Sequence, residues 1–160
     1  MDWSLDNNWK NKSESNKKQY KRFLEKVKEN VVLKQLPELH EKAFSKIDCL
    51  DCANCCKNHS PTFKATDIKR ISKHFKLTEP SFLEKYLMLD KENDWVLKQS
   101  PCIFLNSNNT CQIYEVRPSD CARFPYTNED VFIKRKSLTL ANSKVCPAVH
   151  HILEALIKVY

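Results

Sequence analysis

The stretch Asp48–Cys56 reads DCLDCANCC, placing four cysteines in nine residues with the last two adjacent. Cysteine is nucleophilic and oxidisable, so so dense a cluster implies a disulfide knot, a metal centre or a redox site. The remaining thiols are Cys102, Cys111, Cys121 and Cys146, which makes eight with Cys49, Cys52, Cys55 and Cys56. Two sulfurs at C-x2-C spacing reach one ion from a single tight turn, the knuckle of tetrahedral zinc sites with Zn–S of roughly 2.3 Å. Soft thiolates equally suit iron–sulfur clusters.

A second template is the ferredoxin-type C-x2-C-x2-C with a Cys-Pro. Cys49, Cys52 and Cys55 supply its first three positions and Cys146-Pro147 a remote Cys-Pro. The match is incomplete, because the ferredoxin run keeps its fourth cysteine close by. Neighbouring side chains of an extended segment diverge, so Cys55 and Cys56 there would not share one ion. One of them then faces a second centre or stands beside the first. Eight thiols can fill two four-sulfur sites, one dinuclear site, or one cluster with spare redox cysteines, and spacing leaves all three open. Cys102, in the strand-like PCIFL, also reads as a simply buried cysteine.

The surroundings favour metal over disulfide. The N-terminus MDWSLDNNWKNKSESNKKQY lacks the apolar core of roughly 7 to 15 residues that a secretion signal needs. Apolar runs elsewhere fall far short of the ~18 residues of a membrane span. A cytoplasmic chain without membrane contact is expected, and there thiols are kept reduced. The net charge of +7 permits weak attraction to polyanions. The positive excess looks spread along the chain, with Lys17, Lys18, Lys21 and Arg22 near one end and Lys134, Arg135 and Lys136 near the other. This diffuse pattern disfavours nucleic acid as a partner and leaves a protein partner open, with a basic adaptor for nucleic acid or protein as the minority alternative and the oligomeric state unspecified.

Around the cluster, apolar periodicity predicts helices. Residues 1–16 are polar and read as a flexible N-terminal segment. Tyr20, Phe23, Leu24, Val27 and Val31 then mark a helix that Pro37 interrupts, and Leu39, Ala43, Phe44 and Ile47 a second one. Thr66 is a candidate cap for a helix with Ile68, Ile71, His74 and Phe75 on one face, and Thr78 for a helix carrying Phe82, Leu83, Tyr86 and Leu87. Asn-rich NSNNT suggests a hairpin joining Cys102 to Cys111, since Asn takes the positive-φ positions of a chain with Gly 0. Arg117-Pro118 opens a turn carrying Cys121, Val131–Leu140 reads as extended, and Pro147 starts a last helix with Val149, Ile152, Leu153 and Leu156 inward. The fold class expected is mainly α with a minor β-hairpin. At 160 residues the chain reads as one small domain over 17–160, with 48–126 its cysteine-cluster core, braced by a cysteine-ligated metal centre.

DCLDCANCC, followed by PCIFLNSNNTCQIYEVRPSDCARFP over Pro101–Pro125, resembles the bacterial cysteine-cluster proteins called the YkgJ family, a zinc- or iron-chelating domain with a CxxCxxCC signature. The resemblance spans Asp48 to Tyr126. It implies metal chelation by Cys49, Cys52, Cys55, Cys56, Cys102, Cys111 and Cys121, with Cys146 joining them. A similar arrangement accompanies a bacterial flagellin lysine N-methylase, where it implies an iron–sulfur cluster. The chain departs from the pattern at Ala53-Asn54, where a glycine is common, and Asn54 is the residue suited to a left-handed turn. Arg117 is placed either to donate to cluster sulfurs or to pair at the surface.

No CxxxCxxC run, glycine-rich loop or Ser-His-Asp order is present, so no independent catalytic activity is expected. A closed all-thiolate site has no open position for substrate, which favours structural Zn2+ over the alternative, a [4Fe-4S] cluster in electron transfer or beside a protein-modifying enzyme.

Overall fold

Trp9, Ser13, Tyr20 and Leu24 fall on one stripe, and they are the buried residues of the first helix, α1, Trp9–Lys26. The computed structural model describes residues 7–160. Of the N-terminal stretch read as flexible, 1–6 lie outside the described residues, while Trp9 to Asn16 form the opening turns of α1. The chain is mostly helical with one two-stranded antiparallel sheet, as the apolar patterning predicts. The described residues form two compact units, one of residues 7–52 and 125–160, the other of Ala53–Phe124.

The first unit contains α1, α2 (Glu29–Phe44), α3 (Cys49–Cys52), α8 (Val131–Lys134), α9 (Lys136–Asn142) and α10 (Pro147–Val159). Its core joins Tyr20 and Leu24 of α1, Val32 and Leu36 of α2, and Ile152, Leu153 and Leu156 of α10. The chain breaks at Val27, where ψ is 143, and α2 then runs through Pro37. Proline removes the bond to position i−4 at a cost of about 3 kcal/mol, yet it is tolerated because its flanks, Leu36 and Ala43, are anchored in the core. Val131–Leu140 is helical where extended chain is expected. Phe132 and Ile133 are buried, and tertiary packing overrides the β-branched preference in helices too short to show a periodic repeat.

His150 sits in this core. Its Nδ1 lies 2.8 Å from the Tyr20 hydroxyl, and that hydroxyl donates to Glu154 Oε1 at 2.6 Å. The hydroxyl proton is thereby committed, so His150 Nδ1 carries the hydrogen and donates to Tyr20. Asn16 Nδ2 also donates to Glu154 Oε1, at 2.9 Å. Burial pushes the Glu154 carboxyl up, but the Tyr20 and Asn16 donors outweigh it and hold the group below its ordinary value.

The second unit contains α4 (Asn54–Asn58), α5 (Ala65–His74), α6 (Glu79–Tyr86), β1 (Leu87–Leu89), β2 (Trp95–Leu97) and α7 (Ser119–Arg123). Phe63, Ile68, Ile71, Phe82, Leu97 and Phe104 build its core, with Phe75 and Tyr86 packed against them. Thr78 caps α6 as predicted, its Oγ1 accepting the Ser81 N–H at 3.3 Å. α5 starts one residue before Thr66, with Lys64 at the cap position and the Asp67 carboxylate accepting the Lys64 N–H at 3.0 Å. His74 lies exposed beside the buried Ile71.

The hairpin forms elsewhere than between Cys102 and Cys111. β1 pairs with β2 in the register Leu87 to Leu97. Between Cys102 and Cys111 there is only a single bridge, Leu105 to Cys111, closed by Asn106 N–H to Thr110 O at 2.8 Å. Asparagine does replace glycine at both turns, with φ of 62 at Asn93 and 65 at Asn109.

Replacing Tyr20 by Phe leaves His150 Nδ1 buried without its acceptor and removes a donor from Glu154. Such a change should cost about 2 kcal/mol, read as a lower urea midpoint with an unchanged m-value.

Candidate metal centre

Asp48 folds the first C-x2-C into a single helical turn. Its Oδ1 accepts the Leu50 N–H at 2.8 Å, and its carbonyl accepts the Cys52 N–H at 3.1 Å. Cys49 is thereby exposed and Cys52 half-buried. The turn ends at Ala53, whose φ of 44 and ψ of 19 are left-handed. The sequence singles out Asn54 for that conformation, but Asn54 is the first residue of α4, with its Oδ1 accepting from Asn58 Nδ2 at 2.9 Å. An alanine Cβ in this region costs roughly 1–2 kcal/mol.

α4 carries Cys55 and Cys56, with their sulfurs 4.0 Å apart. The divergence expected of an extended segment does not apply, because helical backbone turns neighbouring side chains only about 100° from one another. The other thiols of this unit come from three separate segments. Cys102 is tethered by its own N–H, which donates to Cys56 O at 2.8 Å. Cys111 stands at the bridge with Leu105, and Cys121 rides on α7.

The thiols feel one another. The Cys56 thiol is lowered to about 7, first by the hydrogen bond from Cys55, with burial opposing and its backbone N–H and Lys57 assisting. Burial pushes up Cys102 and Cys111, and the Cys56 charge adds to it. Cys121 is raised strongly by burial, then by Cys56, Asp120, Cys102 and Cys111. Cys146, at the start of α10, is pushed up to about 12 by burial, with Cys49 and Cys52 adding. Within the second unit, therefore, Cys56, Cys102, Cys111 and Cys121 share one neighbourhood, with Cys55 against Cys56. Within the first unit Cys49, Cys52 and Cys146 share another.

All eight are free thiols. An all-sulfur donor set fits a soft cation such as zinc or the iron of a cluster. Among the described residues no three His, Cys, Asp or Glu side chains are closed into an arrangement that holds an ion. The donors fit by chemistry and neighbourhood, while their sulfurs stand apart from coordination geometry.

Arg117 is engaged at the surface by its own neighbour Tyr114. Its guanidinium lies over the Tyr114 ring at 4.0 Å and its Nη1 donates to Tyr114 O at 2.6 Å. Its charge still reaches Cys111 and offsets part of that thiol's upward shift. Phe124 stacks on His59 at 5.7 Å, steadying the exit of α7.

The residue that sequence reading misses is Asp67. Its side chain is fully buried and accepts from Arg70 Nη2 at 2.8 Å, from Ser119 N–H at 3.0 Å and from Ser119 Oγ at 3.1 Å. Arg70 also donates to Arg117 O at 2.8 Å. Asp120 Oδ2 accepts the Thr62 N–H at 3.1 Å. These bonds fix the segment that presents Cys121. A carboxylate at the third position of α5 is a readable capping signal, but its partner Ser119 lies 52 positions away and has no sequence signature.

Fold and donor set together define a small, mostly helical cysteine-cluster protein. Over residues 48–147, a span that includes all eight cysteines, the chain matches the CxxCxxCC family, described as "Putative zinc- or iron-chelating domain", and it belongs to that family. No curated protein and no solved structure matches the chain. The narrower YkgJ name is not part of the family match.

Two variants test how the cluster is held. Ala53→Gly relieves the left-handed Cβ but adds unfolded-state freedom, for a net gain of about 0.5–1 kcal/mol in urea denaturation. Asp67→Ala removes the buried acceptor shared by the exposed Arg70 guanidinium, the Ser119 N–H and the Ser119 hydroxyl, and should cost about 2 kcal/mol. Burial pushes the Asp67 carboxyl up, but Arg70, the Lys64 N–H and Ser119 outweigh it and hold it low. A folded value below the unfolded one means stability present above the unfolded pKa and lost as pH falls through the folded value. Urea titrations from neutral to acid pH should show that loss in the native protein and a flatter curve in Asp67→Ala.

Proposed function

We propose that the chain binds zinc through cysteine thiolates and that the bound metal braces the fold. The principal centre is drawn from Cys56, Cys102, Cys111 and Cys121, with Cys49, Cys52, Cys55 and Cys146 as further donors. The observation that carries this reading is the gathering of four thiols from four separate segments of one unit. A centre closed by four thiolates has no position for substrate, so it stabilises and does not catalyse. Eight cysteines outside any disulfide also favour a reducing compartment, the cytoplasm.

One observation favours a second reading. Cys49, Cys52 and Cys55 keep, along the sequence, the C-x2-C-x2-C step of a cubane. On that reading the chain holds a [4Fe-4S] cluster and acts in electron transfer or beside a protein-modifying enzyme.

Anaerobic purification with metal and acid-labile sulfide analysis separates the two. Colourless protein with zinc and no sulfide is expected, and Cys121→Ser should weaken zinc roughly a hundredfold or more in chelator competition. Chelation should abolish the helical circular dichroism. Brown protein with sulfide matching iron would transfer the assignment to the cluster, and metal removal without loss of helix would end the bracing role.

A further inference from the structure

The positive charge that looks diffuse in the sequence gathers on one helix in the fold. α1 carries seven Lys and Arg against two Glu, a balance of +5 on a chain whose net charge is +7. All seven cations are exposed. Both glutamates are engaged, Glu25 by Lys21 at 3.9 Å and Glu14 by Lys144. Among the described residues, Lys17, Lys18, Arg22 and Lys26 have no carboxylate at ion-pair distance. Lys18, Arg22 and Lys26 follow one another at i, i+4 and i+8, a line with steps of about 6 Å along the helix. Like charges at this spacing repel by roughly 0.2–0.5 kcal/mol per pair, a cost that a polyanion relieves.

We propose that this face of α1 binds the phosphate backbone of a nucleic-acid duplex without reading its bases. A helix that lies on lipid sinks an apolar face into the bilayer. The apolar face of α1, with Trp9, Tyr20 and Leu24, is instead buried within its own unit. Single strands are gripped by stacking on aromatic rings, and the exposed positions of α1 carry none. Charge spaced along a rod is what remains, and a duplex backbone is its complement. The inference is independent of which metal the cysteines hold.

Four neutralised phosphates predict a slope of about −3.6 in log K against log salt, or roughly a hundredfold loss of affinity between 50 and 200 mM. The test is fluorescence anisotropy of a labelled DNA duplex of about 20 base pairs at about 50 mM salt, with the full-length protein carrying its metal. The triple variant K18E/R22E/K26E should bind at least tenfold more weakly, while K69E/K73E/K76E, an equal charge change on exposed positions of the other unit, should stay within twofold. Circular dichroism must show native helicity in both variants. Absence of binding at low salt overturns the proposal, as does equal loss in the two variants. So does retention on phosphatidylserine vesicles as strong as on the duplex, which would assign the face to a membrane surface.

Discussion

Several thiols crowded into one neighbourhood cannot all ionise. Each thiolate raises the cost of the next, and burial raises it again, which is why Cys121 and Cys146 stand so far above an ordinary cysteine. Cys56 moves the other way, because Cys55 donates to it and Lys57 assists. A divalent cation reverses this logic at a stroke, since a coordinating thiol is deprotonated outright. The crowding that is unfavourable for bare thiolates becomes the donor set of a soft ion, and the family to which the chain belongs is one of zinc or iron chelation.

Delivery of those thiols depends on short elements that polar contacts hold in place. α3, α4 and α7 span four, five and five residues, too few to be stable as isolated helices. Asp48 shapes the first, Asn54 and Asn58 lock the second, and the third hangs from Asp67 and Thr62. The cysteines therefore sit on segments whose geometry comes from hydrogen bonds and whose position comes from the cores behind them.

The last helix, α10, was legible because its buried stripe repeats, and α1 only in its second half, where Tyr20 and Leu24 fall on one stripe. The cap at Thr78 and the helix start at Pro147 were legible from residue type alone. Misreadings cluster where a local signal competes with distant packing. Pro37 signals a helix end that the core overrides, and Phe132-Ile133 signals a strand that burial turns into helix. The hairpin misplacement has the same origin, since DKEND and NSNNT both offer positive-φ asparagines and only the former is flanked by chains that pair. Of the site, the cysteine list and its chemistry class are visible in sequence. The division of the thiols between two units, and the dependence of Cys121 on Asp67, are products of tertiary structure.

The size of the second unit bears on what a metal would do there. Ala53–Phe124 is a compact unit whose core cluster holds eight buried apolar residues. Units below about 70–80 residues rarely draw more than ~3–5 kcal/mol from a single core, and proteins of this scale commonly add disulfides or a metal. Disulfides are absent, for every cysteine is free. Ala53 adds a further cost by holding an alanine in left-handed backbone at the entry to α4. A unit with so small a core, a strained entry and four thiols drawn from distant segments is the kind that a coordinated ion stabilises most, because each ligand closes a loop that hydrophobic burial leaves weakly fastened.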